Sequence, residues 1–91
     1  MDYVIKETHE FKKQFLKLAK NIRKRFKRQF FKLKKDPFSI GDPLKGRNWF
    51  REIKNEKFRV YYVISEKQVF VLLISVSQKK DQQNSIDTIF E

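Results

Sequence analysis

The sequence holds no cysteine, which excludes disulfide staples and thiolate metal sites outright. The sole histidine, His9, leaves no histidine cluster for zinc or for a serine–histidine relay. Glycine and proline are scarce, two of each, and no low-complexity linker divides the chain. The longest purely apolar run, Val69 to Ile74, is far too short to span a bilayer, and no secretory-signal pattern precedes Asp2. These absences lead to an expectation of a soluble cytoplasmic protein with no metal and no small-molecule cofactor.

Acid is the other shortage. Eleven Asp and Glu stand against 22 Lys and Arg, a formal net charge of +11. A small domain so charged is expected to meet a polyanion, nucleic acid first, and an acidic protein satisfies the same field. Ninety-one residues make one domain, 1–91. A chain of this size buries only roughly 60–65% of its unfolded surface. What the sequence has in quantity is aromatic carbon: ten Phe and three Tyr, the expected core material.

Along the chain, Asp2 to Glu7 alternates and reads as a short strand, with Tyr3 and Ile5 on one side and Val4 on the other. Thr8 is placed to cap a helix that has Glu10 in its positive first turn. Phe11, Phe15, Leu18, Ile22, Phe26, Phe30 and Leu33 then recur at helical spacing. Twelve Lys or Arg and no acid lie between Phe11 and Lys35. One helix over that span would be about 40 Å long, more than the roughly 30 Å diameter of such a domain. A helical hairpin turning near Lys20–Asn21, with Asn21 capping its second arm, is expected instead. Its apolar stripe is needed to cover strands, so a membrane surface is not the expected partner.

Asp36-Pro37 ends the second helix, because the residue before proline is driven out of the helical region. Phe38 to Pro43 reads as a loop, and Leu44-Lys45-Gly46 leads into a strand over Trp49–Lys54. Strands over Phe58–Ile64 and Val69–Val76 follow, the last apolar on both faces and so central in the sheet. Ile86, Ile89 and Phe90 are spaced for a short helical tail.

Alternation puts Arg59, Tyr61 and Val63 on one face of their strand, and Phe50, Glu52 and Lys54 together on theirs. A guanidinium keeps its charge at any ordinary pH, so Arg59 needs either an internal carboxylate or an open face for an anionic ligand. One reading is a Glu52–Arg59 structural ion pair. The other is a cationic floor of Lys54 and Arg59, joined by Lys79 and Lys80, suited to a phosphodiester whose transition state gains negative charge.

The order of these pieces resembles the RelE/ParE superfamily of toxin–antitoxin toxins over essentially the whole chain. The features that carry it are L-K-G (Leu44–Gly46), W-F-R-E-I-K (Trp49–Lys54), F-R-V-Y-Y-V-I (Phe58–Ile64) and an apolar strand ending V-x-x-K. The resemblance implies a small α+β, microbial RNase-like fold of order β-α-α-β-β-β. Its helical hairpin packs on one face of a mainly antiparallel four-stranded sheet, and a short helical tail follows. In the RelE branch the other face is a concave site that cuts ribosome-bound messenger RNA without metal. The 2′-hydroxyl attacks the adjacent phosphate and leaves a cyclic phosphate and a free 5′-hydroxyl.

By position, Arg59 matches the family arginine that stabilises the phosphate, Lys54 matches one lysine of the preceding strand, and Lys79 falls where an arginine usually stands. Glu52 occupies the place of a second cation and is the candidate general base, with Asp42 a weaker one. Ser85 replaces a common tyrosine. The basic surface supplies the candidate RNA contacts, Lys24, Arg25, Arg28, Arg47, Arg51 and Lys80, and the resemblance implies a cognate antitoxin that is acidic where it wraps the toxin. A gyrase-binding toxin of the ParE branch, and a degenerate basic module that binds RNA or antitoxin, are the alternatives. The nuclease reading depends on one geometric expectation, that Arg59 opens onto an uncovered cationic hollow.

Overall fold

The computed structural model describes residues 2–78. The chain runs β1 (Val4–Glu7), α1 (His9–Leu16), α2 (Lys20–Lys35), β2 (Asp42–Leu44), β3 (Arg47–Asn55), β4 (Phe58–Ser65) and β5 (Phe70–Gln78). The strands form one sheet in the order β1-β5-β4-β3-β2. β1 lies parallel to β5, and every other neighbour is antiparallel. The sheet therefore has five strands rather than four. The added strand, β2, falls where a loop and lead-in were expected. Pro43 has no N–H to give to a ladder, which suits the outer edge that β2 occupies. Three residues with a proline among them carry no readable alternation. The remaining class and order agree with the expectation, and the helical tail from Ile86 lies outside the described residues.

Thr8 caps α1 as its position implies, its hydroxyl oxygen accepting the Phe11 N–H at 3.0 Å. The hairpin turns at residues 17–19, just before the Lys20–Asn21 turn expected from sequence. Ala19 is the N-cap of α2 and Asn21 sits inside the helix, so cap chemistry does not place the break. Burial does: Leu18 is drawn into the core, with its N–H bonded to the Phe15 carbonyl at 3.1 Å. Asp36 is extended (φ −155°, ψ 97°), as the residue before Pro37 should be.

Both helices cover the same side of the sheet. Phe11, Phe15, Ile22, Phe26 and Leu33 meet Ile53, Val60, Tyr62, Ile64, Val71 and Leu73 there. Phe11 stacks on Phe15 at 5.1 Å and Phe26 on Phe30 at 6.0 Å, so the aromatic stripe forms the centre of this core. A smaller apolar cluster of Leu44, Phe50 and Tyr61 lies on the opposite side. Tyr61 and Tyr62 serve different sides by the ordinary alternation of β4. Opposite them β5 carries a bulge: Tyr61 pairs with Ser75 and Tyr62 with Leu73, leaving Ile74 as the extra residue, which returns Val76 to the helical side with Leu73. α1 satisfies the bulge. The Thr8 hydroxyl donates to the Ile74 carbonyl at 2.6 Å, and the Val76 N–H donates to Gln14 Oε1 at 2.7 Å.

Gly41 enters β2 with φ of 76°, and a Cβ there would lie 2.5 Å from the Tyr62 hydroxyl oxygen and 2.7 Å from the Glu52 carbonyl oxygen. Gly41→Ala is expected to lower unfolding free energy by about 2 kcal/mol or more, through left-handed strain and overpacking together. Urea denaturation checks this, and a loss below about 0.5 kcal/mol would show that the Pro37–Gly41 segment yields freely.

Candidate functional site

β3 and β4 pair in a register that sets Lys54 opposite Arg59 and Glu52 opposite Tyr61. Arg59 and Glu52 are thus diagonal neighbours on one face, and long side chains span that distance. Arg59 Nη1 donates to Glu52 Oε1 at 2.8 Å, with the two side chains only 10% and 4% exposed. Lys54 Nζ lies 3.7 Å from the same carboxylate oxygen and 4.0 Å from Asp42 Oδ2, and is half exposed. The expectation of an uncovered hollow onto which Arg59 opens is therefore overturned. The reason is desolvation: a guanidinium taken out of water needs its counter-charge close by, and Glu52 supplies it. Two cations and two acids make this cluster neutral as a set.

The chemistry this arrangement permits is limited. A general base must come within hydrogen-bond reach of the proton it takes, and the Glu52 carboxylate is buried and already engaged by Arg59. Arg59 Nε is buried with no hydrogen-bond partner among the described residues. Next to the pair, the Ser77 hydroxyl donates to the Tyr61 oxygen at 3.1 Å. Burial pushes the Tyr61 hydroxyl above its ordinary pKa; the Ser77 bond pulls it down, and Glu52 and Arg59 act in opposite directions. Burial raises Tyr62 as well, on the helical side, where its hydroxyl donates to the Ile40 carbonyl at 2.9 Å.

The other expected contact residues divide. Lys24 and Arg28 are exposed on α2. Arg25 is exposed too, but its Nη1 pairs with Glu56 at 3.0 Å. Arg51 is a correction: it is 5% exposed and belongs to the interior rather than to an RNA surface. Its guanidinium holds the loop before β2, donating to Asn48 Oδ1 at 2.6 Å and to the Gly41 carbonyl at 3.0 Å. Alternation with Ile53 carried that signal. Arg47 is exposed near the β2–β3 turn, beside the exposed Trp49, which the sequence reading passed over. Lys79, Lys80 and Ser85 lie outside the described residues.

A cleft of about 450 Å³ opens elsewhere, between the end of α1 and β5, lined by Gln14, Lys17, Leu18, Phe58 and Val76 among others. Among the described residues no group of three or more His, Asp or Glu is placed to hold a metal ion, and no helix is long and apolar enough to cross a membrane.

No family model matches the sequence, and no curated protein matches it. Solved structures do. A mutant of E. coli toxin RelE in the free state superimposes with a TM-score of 0.82 at 21% identity, over 98% of this chain and 96% of that one. The RelBE toxin–antitoxin complex of E. coli gives 0.75 at 23%, over 84% and 95%. The archaeal RelE–RelB complex from Pyrococcus horikoshii gives 0.72 at 20%, over 87% and 97%. The chain has the RelE fold.

Removing one member of the buried pair strands the other. Glu52→Gln is expected to lower stability by about 3 kcal/mol, and adding Arg59→Leu to recover part of that loss. A double-mutant cycle by urea denaturation measures the coupling, and purely additive losses would contradict the pair. The raised tyrosines give a pH signature. The folded state holds these phenolic protons more tightly than the unfolded chain, whose tyrosines titrate near 10.0. Their contribution is therefore complete below about pH 10 and is lost as pH rises through the folded values. Tyr61→Phe is expected to make the alkaline limb of a stability–pH curve shallower.

Proposed function

We propose that this RelE-fold chain is the toxin of a two-protein toxin–antitoxin module, acting in the cytoplasm by binding translated messenger RNA at the ribosome. An acidic antitoxin neutralises it. The observation that carries this reading is the helix charge: twelve Lys and Arg without one acid from Phe11 to Lys35, on a chain of net +11. The helices bury their aromatic stripe, so these cations face outward, with Lys24, Lys27, Arg28 and Lys35 exposed along α2. Like charges one turn apart repel by a few tenths of a kcal/mol each, roughly, and a polyanion reverses the sign of that term while releasing its counterions. RelE–RelB complexes among the similar structures support a protein partner for this fold.

A second reading adds ribonuclease chemistry. Lys54, half exposed and beside the Arg59–Glu52 pair, is the observation that favours it. A phosphate that displaces Glu52 from Arg59 would be held by Arg59 and Lys54, with Lys79 in the family position. The displaced Glu52 takes the proton from the 2′-hydroxyl, whose oxygen attacks phosphorus. The bond to the 5′-oxygen breaks, and that oxygen takes a proton from solvent water as it leaves, the proton on Glu52 passing to solvent in turn. This reading ranks second because the pair is closed and buried. A gyrase target has no observation in its favour.

Inducible expression of the wild type, Lys54→Ala and the triple Lys24→Gln, Lys27→Gln, Arg28→Gln tests both. The triple variant is expected to bind single-stranded RNA more weakly, its slope of log K against log salt reduced by about 2. Growth arrest without new RNA 5′ ends agrees with binding. New 5′ ends within translated codons, lost in Lys54→Ala, establish cleavage. Absence of both growth arrest and RNA binding would overturn the proposal.

A further inference from the structure

We propose that Trp49, with Arg47 beside it, is a stacking platform for an unpaired RNA base at the free end of the β2–β3 hairpin. The inference rests on the RNA-binding reading above and assigns that binding a second, base-contacting point away from the helices.

Trp49 is the only tryptophan of the chain, and 47% of it is exposed, whereas its neighbour Phe50 is fully buried. The pairing explains the contrast. β3 meets β4 only from Phe50 onward, opposite Val63. Against β2 the ladder jumps from Leu44↔Arg47 to Pro43↔Arg51, so residues 48–50 leave the register. Asn48 and Trp49 therefore stand at the end of the sheet, past the β4 ladder and inside a bulge of the β2 ladder. The turn itself is tight, with Lys45 and Gly46 at φ of 51° and 71°, and it sets Lys45 and Arg47 at the same tip.

Three features make this tip a base site rather than an incidental exposed side chain. The Arg47 guanidinium carbon lies 6.0 Å from the Trp49 ring centroid, which puts a cation next to a flat π surface. Its Nη1 donates to the Lys45 carbonyl at 3.3 Å, which orients it. Trp49 is also the outer end of an aromatic row, 6.3 Å from Phe50, which is 6.4 Å from Tyr61 beside the Arg59–Glu52 pair. Isolated exposed apolar side chains such as Val4 and Leu16 are ordinary and offer no ring. An indole interleaved with cations on a strongly basic protein matches the way single strands are held, by stacking and backbone charge together. A-form duplex presents no unstacked base to such a surface, so the ligand class is single-stranded RNA.

Because Trp49 is the sole indole, its fluorescence reports this site alone. The test uses the full-length protein with single-stranded oligoadenylate and, as control, an abasic ribose-phosphate oligomer of equal length and charge. Oligoadenylate is expected to quench Trp49 emission, while the abasic oligomer binds at low salt and leaves it unchanged. Trp49→Ala is expected to bind oligoadenylate about 10-fold more weakly by anisotropy, with the abasic oligomer unaffected. Trp49→Phe, which keeps a ring and is read beside far-UV circular dichroism, should fall between. Equal emission changes from both oligomers, or full oligoadenylate affinity in Trp49→Ala, would overturn the platform and leave the RNA-binding reading standing. Absence of binding by any oligomer at low salt would overturn both.

Discussion

A guanidinium that cannot shed its proton sits in the middle of this sheet, and much else follows from how its charge is balanced. Glu52 meets Arg59 at 2.8 Å, one diagonal across the β3–β4 ladder. Lys54 then approaches the same carboxylate, and Asp42 of the edge strand approaches Lys54. Burial makes the Glu52–Arg59 pairing necessary, since an uncompensated charge there is far more costly than a paired one, whereas Lys54 and Asp42 stand half exposed or more. The consequence reaches past stability. A face with its charges already matched internally has little field left for a ligand, so the net charge of the molecule is expressed elsewhere.

It is expressed on the helices. Their aromatic stripe is consumed by the opposite side of the sheet, and the cations between the aromatics have no direction left but outward. The hairpin is tied to the sheet by more than apolar contact. Thr8 and Gln14 satisfy backbone groups at the β5 bulge, the irregularity that brings Leu73 and Val76 onto the same side. One bulge therefore ties the start of α1 to β5. Side-chain bonds of this kind matter because they satisfy polar groups that the ladder leaves open.

These two halves explain why binding ranks above cleavage in the proposed function. Cleavage needs an accessible base and an accessible cation at one phosphate, and the two candidates are occupied with each other. Binding needs only outward positive charge and a place for a base, and α2 supplies the first and Trp49 at the β2–β3 tip the second. The RelE fold is compatible with either, because a fold positions residues without specifying which residues they are. Here a single position, Glu52, separates a neutral face from a cationic one.

Much of this was legible in the residues taken singly. Helical spacing of the phenylalanines marked α1 and α2, Thr8 and Asp36-Pro37 marked two of their ends, and alternation marked β3, β4 and β5, because each of these signals is local. Even the inward course of Arg51 was present in its alternation with Ile53. Tertiary structure alone decided the rest. Burial of Leu18 moved the helical turn, and an edge beside β3 made a strand of Asp42–Leu44. The diagonal reach of Glu52 chose between two open readings of Arg59. Those outcomes depend on what lies across a ladder or beneath a helix, and a linear pattern carries no distance between residues that only folding brings together.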